Sequence, residues 1–560
     1  MKKITLTLSF ILFILLSNTN FAQAWVWANS GTGNCTVNEG YSVCSDTSGN
    51  VFLAGGFSGA NVVLGTTTLT GGPGICLVKY NSSGALIWAK SAQGGNAFAY
   101  SVTSDISGNT FLTGYFWAPQ IVFGTYTLTN TSSSNYDIFL VKYDPSGNVL
   151  WAKSAGGTAF DFGNSVSTDP SGNVFLAGKY KSSSFTIGSS TFTTSASSNM
   201  FISKYDANGN FLWAKSSPDS AIAEANSVSA DASGNAFVTG YFYGPKLTLG
   251  TYTLVNTTGS SAFLAKYDNN GNVVWAKSSY GGMSGGCCGD IGQSVKADAS
   301  GNIYITGRFF NSYIAFATTT VTGNPGKYNF FLYKFNPLGN VMWGRKAVGT
   351  GTAGVAGYCV TSDASRVYTS GYYDPSSSAN FGSYTLAIPA NAYDPSFVAT
   401  YDHNGNFLSA TGLSSGGDDL NGITVDKHCN VYLGGDYTNF NFVVGSTTLT
   451  PVLSQGTCEN LFLAKLSFTC AADVGIKTMN ENSGIDVFPN PNNGSFIIKV
   501  QENIQTGEFT LVNSLGQKIY QQKLVQGENA IHVTHLSSGI YNYTVAENKL
   551  PIRRGKLSIE

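Results

Sequence analysis

An all-β fold, a seven-bladed β-propeller of four-stranded blades followed by a small β-sandwich, is what three features of this 560-residue sequence predict. A tryptophan phrase recurs at near-regular spacing, an Asp-x-x-Gly-Asn phrase punctuates each unit twice, and the pattern changes abruptly after residue 470. Composition agrees. The chain carries 66 Gly and 13% aromatic residues but only 11% charged ones, which suits short strands joined by tight turns. At 560 residues it is also too long for one ordinary core.

The first residues read as a secretory signal. Lys2 and Lys3 precede an apolar run from Ile4 to Leu16, and Ala22-Gln23-Ala24 is a small-x-small cleavage site, so cleavage after Ala24 is expected to start the mature chain at Trp25. The apolar run is short for a membrane span, and no transmembrane segment is expected once the signal is gone.

The repeat occupies residues 25–468. Val149-Leu-Trp-Ala-Lys153 is one copy of a phrase whose tryptophans stand at Trp27, Trp88, Trp151, Trp213, Trp275 and Trp343, with Ser409 in the seventh place. A second phrase, Asp46-Thr-Ser-Gly-Asn50 followed by Val-Phe-Leu-Ala-Gly55, returns at Asp105, Asp169, Asp231, Asp298 and, in degenerate form, at Asp363 and Asp426. A third, Phe139-Leu-Val-Lys-Tyr143 with Asp-Pro-Ser-Gly-Asn148, leads into the tryptophan phrase. Asp-x-x-Gly-Asn between apolar runs is a hairpin signal: the carboxylate accepts from N–H groups further along, and Gly supplies the positive φ. Each unit therefore holds two hairpins, four antiparallel strands A to D. The strands are apolar on both faces and so must be sandwiched between neighbours, as propeller blades are.

The last unit has A, B and C but no D, whereas the mature chain opens with an orphan D phrase, Trp25 to Ala28. That strand is expected to complete the last blade, closing the ring and removing two sheet edges. Long, repetitive B–C connections such as Leu247–Leu254 are expected to form small hairpins that lengthen each blade. Together these phrases resemble SBBP (seven-bladed β-propeller) repeats, and the resemblance implies the fold but no activity.

Residues 469–484 are polar and read as a linker. From Ile485 a new set of phrases appears: Val487-Phe-Pro-Asn-Pro-Asn492, Ser514-Leu-Gly-Gln517 and Leu536-Ser-Ser-Gly-Ile-Tyr541, with alternation that suggests a small β-sandwich over 485–560. This segment resembles the type A C-terminal sorting domain of type IX secretion. The resemblance implies the type IX machinery as a partner, and a secreted or cell-surface destination.

Other classes of function are poorly supported. Net charge is -1, and the repeats hold no basic run, which argues against a nucleic-acid partner. The 4 histidines form no metal-like or triad-like arrangement with the acids, so no metal and no cofactor are expected. Turns such as Asp206–Asn210 and Asp268–Asn272 share residue types with calcium loops but lack the further acidic ligands, and the hairpin already requires them. The D–A connections differ from unit to unit and carry Asp161, Asp219, Glu224, Asp290 and the pair Asp418 and Asp419. Two readings stay open for these acids: a ring at the channel mouth that binds an extracellular glycan or protein, or an acid/base pair of an extracellular hydrolase or lyase. The 9 cysteines are an odd number. If the ring closes as expected, Cys35 and Cys458 fall at the same end of paired strands, and a disulfide between them would staple the closure. Cys44, Cys76, Cys359 and Cys429 have no evident partner, and the chain is expected to be a monomer.

Overall fold

The computed structural model describes residues 23–33, 38–132, 134–219, 221–256, 259–281, 289–350, 354–375, 378–388, 395–413, 419–438, 442–450, 459–468, 485–488, 490, 492–500, 506–513, 517–533, 536–537, 539–547 and 550–559. The chain divides into two compact units, Met1–Thr469 and Cys470–Glu560. The residues of the expected signal before Gln23, and the expected pair Cys35 and Cys458, lie outside the described residues.

In the first unit the described residues form seven antiparallel sheets in a propeller-like ring, four of them four-stranded and three extended from four strands to six. Their A strands are Asn38–Ser45, Ala97–Ser104, Asp161–Thr168, Ile222–Ala230, Ile291–Ala297, Val355–Ser362 and Asp419–Val425, here numbered sheets 1 to 7. Each A strand contacts the next, and the seventh returns to the first, so these strands surround a central channel. Strands B and C are buried along their length, as in Asp137–Tyr143, where every residue is buried. The core is accordingly the set of layers between sheets: Leu140 and Trp151 of sheet 2 pack with Leu176 and Phe201 of sheet 3.

The Asp-x-x-Gly-Asn phrases make the turns expected of them. Asp46 Oδ1 accepts from the N–H groups of Ser48 and Asn50 at 2.9 Å each, its Oδ2 accepts from Asn50 Nδ2 at 2.7 Å, and Gly49 has φ 81°. Asp268 uses both carboxylate oxygens in the same way, on Asn270 and Asn272. In the degenerate copy at Asp426 the Gly position is Cys429, at φ 58°, a conformation that costs a side-chain-bearing residue about 1–2 kcal/mol. Cys429 is disulfide-bonded, which corrects the expectation that it has no partner; the partner lies outside the described residues.

The tryptophan phrase joins each sheet to the next. Trp151 of strand D in sheet 2 stands 6.0 Å from Phe111 of its own strand B and donates from Nε1 to Ala207 O, in the C–D turn of sheet 3, at 3.3 Å. Lys142 lies over the same Phe111 ring and donates to the same carbonyl at 2.9 Å. The turn glycine of sheet 3, Gly209, has φ 79°, and a Cβ there would come within 2.8 Å of the Trp151 ring. One glycine thus answers two demands, turn and close approach.

The opening strand, Gln23–Thr32, pairs antiparallel with Glu459–Phe468, from Gln23 opposite Phe468 to Gly31 opposite Leu461. It is the fourth strand of sheet 7, and Trp27 joins the pattern by donating to Ser82 O of sheet 1 at 3.2 Å. All seven B–C connections carry the small hairpin. The expectation that each lengthens its own sheet is corrected where cross-pairing is seen: Asn61–Leu64 pairs with the opening strand of sheet 7, Ser184–Ile187 with strand D of sheet 2, and Ala379–Phe381 with strand D of sheet 5. Each of these hairpins extends the preceding sheet by pairing with the otherwise open edge of that sheet's fourth strand.

In the second unit a three-stranded antiparallel sheet (Ile485–Phe488, Ser495–Val500, Gly527–His532) and a four-stranded one (Thr506–Val512, Lys518–Val525, Gly539–Glu547, Leu550–Ile559) share one core that includes Phe496, Ile498, Phe509, Ile531 and Val545.

Candidate binding site at the channel mouth

Every A strand contains one β-bulge, at the same place. The register with strand B shifts between Gly40 and Ser42, Ala99 and Ser101, Gly163 and Ser165, Ala225 and Ser227, Gly292 and Ser294, Gly357 and Cys359, and Leu420 and Gly422. A bulge leaves one residue unpaired and re-aims its side chain. The seven residues so released are Tyr41, Tyr100, Asn164, Asn226, Gln293, Tyr358 and Asn421, and all seven line one cavity of about 470 Å³ in the channel. Each is half-buried.

The ring is held by bonds from sheet to sheet. Asn164 Nδ2 donates to Ala225 O of sheet 4 at 2.9 Å, and Asn226 Nδ2 donates to Gly292 O of sheet 5 at 2.9 Å and to Gln293 Oε1 at 3.2 Å. The residue after each bulge stitches the strands together: Ser42 accepts from Val102 N, Ser101 from Val166 N, Ser165 from Val228 N, Ser227 from Val295 N and Ser294 from Val360 N, at 3.1–3.2 Å. Cys359 donates to Asn421 O at 2.9 Å. At the closing seam Gly422 lets the backbone approach Val43, where a Cβ would fall 2.7 Å from a Val43 methyl. These bonds fix the amides, so a ligand would meet an ordered ring of phenol and amide groups and not a mobile one.

Of the acids singled out in the D–A connections, Asp161, Asp219, Glu224 and Asp290 do not line this cavity. Asp161 is fully buried, accepting from the N–H groups of Lys181 and Ser182 at 3.0 and 3.2 Å and from Ser182 Oγ at 2.8 Å. Burial pushes its carboxyl up to about 6. Asp290, also buried, accepts from Ser279 Oγ at 2.7 Å, and burial pushes it up to about 7. Asp219 faces an outer hairpin, where it pairs with Lys246 at 3.5 Å and accepts from Thr248 N. Glu224 is ion-paired with Lys179 at 2.8 Å. Asp419 pairs across the sheet with Asp436, and Asp418 lies outside the described residues. Among the described residues no group of three or more His, Cys, Asp or Glu is placed to hold a metal ion.

The bulge ring was missed in the sequence, although a signal for it exists. Tyr41-Ser-Val43, Tyr100-Ser-Val102, Asn164-Ser-Val166, Asn226-Ser-Val228, Gln293-Ser-Val295, Tyr358-Cys-Val360 and Asn421-Gly-Ile423 recur just ahead of each hairpin. A polar or aromatic residue before a small one in an otherwise apolar strand marks the bulge.

Residues 486–560 match the secretion system C-terminal sorting domain family. The protein is therefore exported by type IX secretion, to the cell surface or the surrounding medium, and its C-terminal domain interacts with that machinery. An uncharacterised WD repeat-containing protein of Acanthamoeba polyphaga mimivirus is 31% identical over 126 residues, which is 20% of this chain, and the match spans 9% of that relative's length. Among solved structures, PorZ, described as an essential bacterial surface component of the type-IX secretion system of Porphyromonas gingivalis, aligns over 95% of this chain and 100% of its own at 10% identity and a TM-score of 0.15. The Neurospora crassa Pan2 WD40 domain aligns over 51% of this chain and 92% of its own at 11% identity and a TM-score of 0.21. No helix among the described residues is long and apolar enough to cross a membrane.

Proposed function

We propose that this chain is a closed seven-bladed β-propeller of SBBP-like repeats that serves outside the cell as a binding and display scaffold, taking a glycan or protein ligand at the channel mouth. The signal, cleaved after Ala24, and the sorting domain over 485–560 serve export; the repeats over 25–468 carry the function. The observation that carries this reading is the convergence of seven bulge side chains on one cavity. A bulge spoils a ladder position in every sheet, and all seven bring their side chains to one cavity, where amide and phenol groups meet. Of the acids in the D–A connections, Glu224 stands two residues ahead of a bulge and is ion-paired with Lys179 of the cavity lining, and we assign it to the rim of the site. Asp161 and Asp290 hold their loops.

The reading is tested by screening the secreted protein against a glycan array and against intact cells, beside an Asn226→Ala/Gln293→Ala double variant of equal thermal stability. A ligand whose binding weakens in the double variant supports it. Binding that the double variant leaves unchanged places the function elsewhere on the molecule and removes the reading.

A further inference from the structure

We propose that an aromatic terrace beside the channel mouth, over sheets 1 to 3, binds a neutral oligosaccharide. This rests on the mouth being the ligand site and adds the ligand's chemistry.

The seven repeats serve as an internal comparison. At the mouth end of the A–B ladder the facing pairs are Glu39 and Gly56, Phe98 and Tyr115, Phe162 and Lys179, Glu224 and Tyr241, Ile291 and Arg308, Ala356 and Tyr372, and Asp419 and Asp436. The fold accepts glycine, alanine or a charge at these places, so it does not demand aromatic rings. Yet in one sector the rings accumulate. Tyr115, at the end of strand B, stacks on Tyr136 at 4.7 Å and on Trp117 at 5.8 Å. Tyr136 meets Phe160 edge-on at 4.7 Å, and Tyr100 of the bulge ring meets Tyr115 at 5.1 Å. Tyr100 in turn meets Tyr41 of the ring at 5.0 Å, so terrace and cavity are one continuous surface. Gly56 of sheet 1 makes room for the Phe98 ring of sheet 2, since a Cβ there would fall 1.8 Å from it. Phe160 remains 40% exposed, and Tyr100, Trp117 and Tyr136 are half-buried.

The mixture of surfaces indicates the ligand. A sugar ring has a face of C–H groups that lies well on an aromatic ring and an edge of hydroxyls that needs neutral donors and acceptors. The terrace offers the first, and the amides Asn164, Asn226, Gln293 and Asn421 offer the second. The cavity, about 470 Å³, falls in the size range of small-ligand sites. The charge of its lining is cancelled. Lys179, the charged residue of the cavity lining, is paired with Glu224 at 2.8 Å. Among the described lining residues an acidic sugar would therefore find no unpaired cation, whereas a neutral one needs none.

The test uses the secreted full chain with immobilised hexasaccharides of glucose, mannose, xylose and N-acetylglucosamine, against polygalacturonate and heparan sulfate, followed by titration in solution. The variants are Trp117→Ala and Phe160→Ala, with Tyr384→Ala as control: Tyr384 has the same 40% exposure as Phe160 but lies on an outer hairpin. Thermal unfolding checks that each variant folds, and Phe160→Ala removes so little buried area that it keeps the test open if Trp117→Ala fails. The expected result is binding of at least one neutral hexasaccharide, weakened at least about tenfold in both terrace variants and unchanged in the control, with a shift of tryptophan emission on binding. Neutral-glycan binding that the terrace variants leave intact overturns the proposal. So does binding of acidic glycans only, or of a protein only, while both of these leave the mouth as a ligand site if the Asn226→Ala/Gln293→Ala variant loses them. Failure to bind any neutral glycan overturns the proposal by itself.

Discussion

Asp290 is a carboxylate in a nearly dry place. One oxygen accepts from Ser279 Oγ at 2.7 Å, and the other has no hydrogen-bond partner among the described residues. Burial raises its pKa to about 7, and raises that of Asp161 to about 6, from a value near 3.9 in an unfolded chain. The unfolded chain therefore holds fewer protons than the folded one across this window. The contribution of these groups to stability is complete below about pH 4 and is lost as pH rises through 6 to 7. For Asp290→Asn, which keeps the acceptor for Ser279 and cannot ionise, we expect a flatter stability profile between pH 5 and 8 and a gain on the order of 2 kcal/mol over the parent at pH 8. Urea unfolding at each pH measures this; a variant with the parent's slope would show that Asp290 does not titrate in that window.

At the scale of the strand, the loss of one tryptophan has a structural reason. In six sheets strand D offers a tryptophan to an aromatic residue of its own strand B, as Trp275 does to Phe237 at 6.1 Å, and donates to the C–D turn of the next sheet, here Pro337 O at 3.2 Å. Sheet 6 faces sheet 7, whose fourth strand comes from the N-terminus, so sheet 7 has no C–D turn and no carbonyl to accept. There Trp is replaced by Ser409 and the strand C lysine by Thr400, and the two hydroxyls bond each other at 2.8 Å. Phe468 takes over the ring contact, lying 5.3 Å from Tyr368 with the Arg366 guanidinium above it. Replacing Trp275 by Ser is expected to cost about 3 kcal/mol or more, the usual range for emptying a buried aromatic site. Replacing Ser409 by Trp is expected to gain nothing, and a rise in its urea midpoint would refute this account of the seam. The repeat phrases, the turns and the closing strand were legible because each is a local pattern with one geometric solution. The bulge ring was not, because a bulge leaves the strand's residue pattern in place and changes only which way Tyr41 or Asn226 points. The destinations of Asp161 and Asp219 were hidden for a further reason: sequence places an acid in a connection without saying whether the connection folds inward onto Ser182 or outward onto Lys246.

For the whole molecule, the repeats and the sorting domain fall into separate compact units, and the second has its own core. The propeller-like unit pairs its opening strand with Glu459–Phe468, and among the described residues every strand of its seven sheets comes from that unit. Residues 486–560 match a secretion sorting family, and the described strands of this unit pair with one another. Removing residues 470–560 is then expected to leave the first unit folded, with the same near-UV dichroism and the same ligand binding, while abolishing its appearance at the cell surface or in the medium. Immunoblots of periplasmic, surface and medium fractions check the second half, and unfolding curves of the protein recovered from the periplasm check the first. A truncated chain that still reached the surface would mean that export reads a signal in the repeats. One that was exported to neither place and also failed to fold would mean that the ring depends on the C-terminal unit, contrary to the self-contained strand pairing of its seventh sheet.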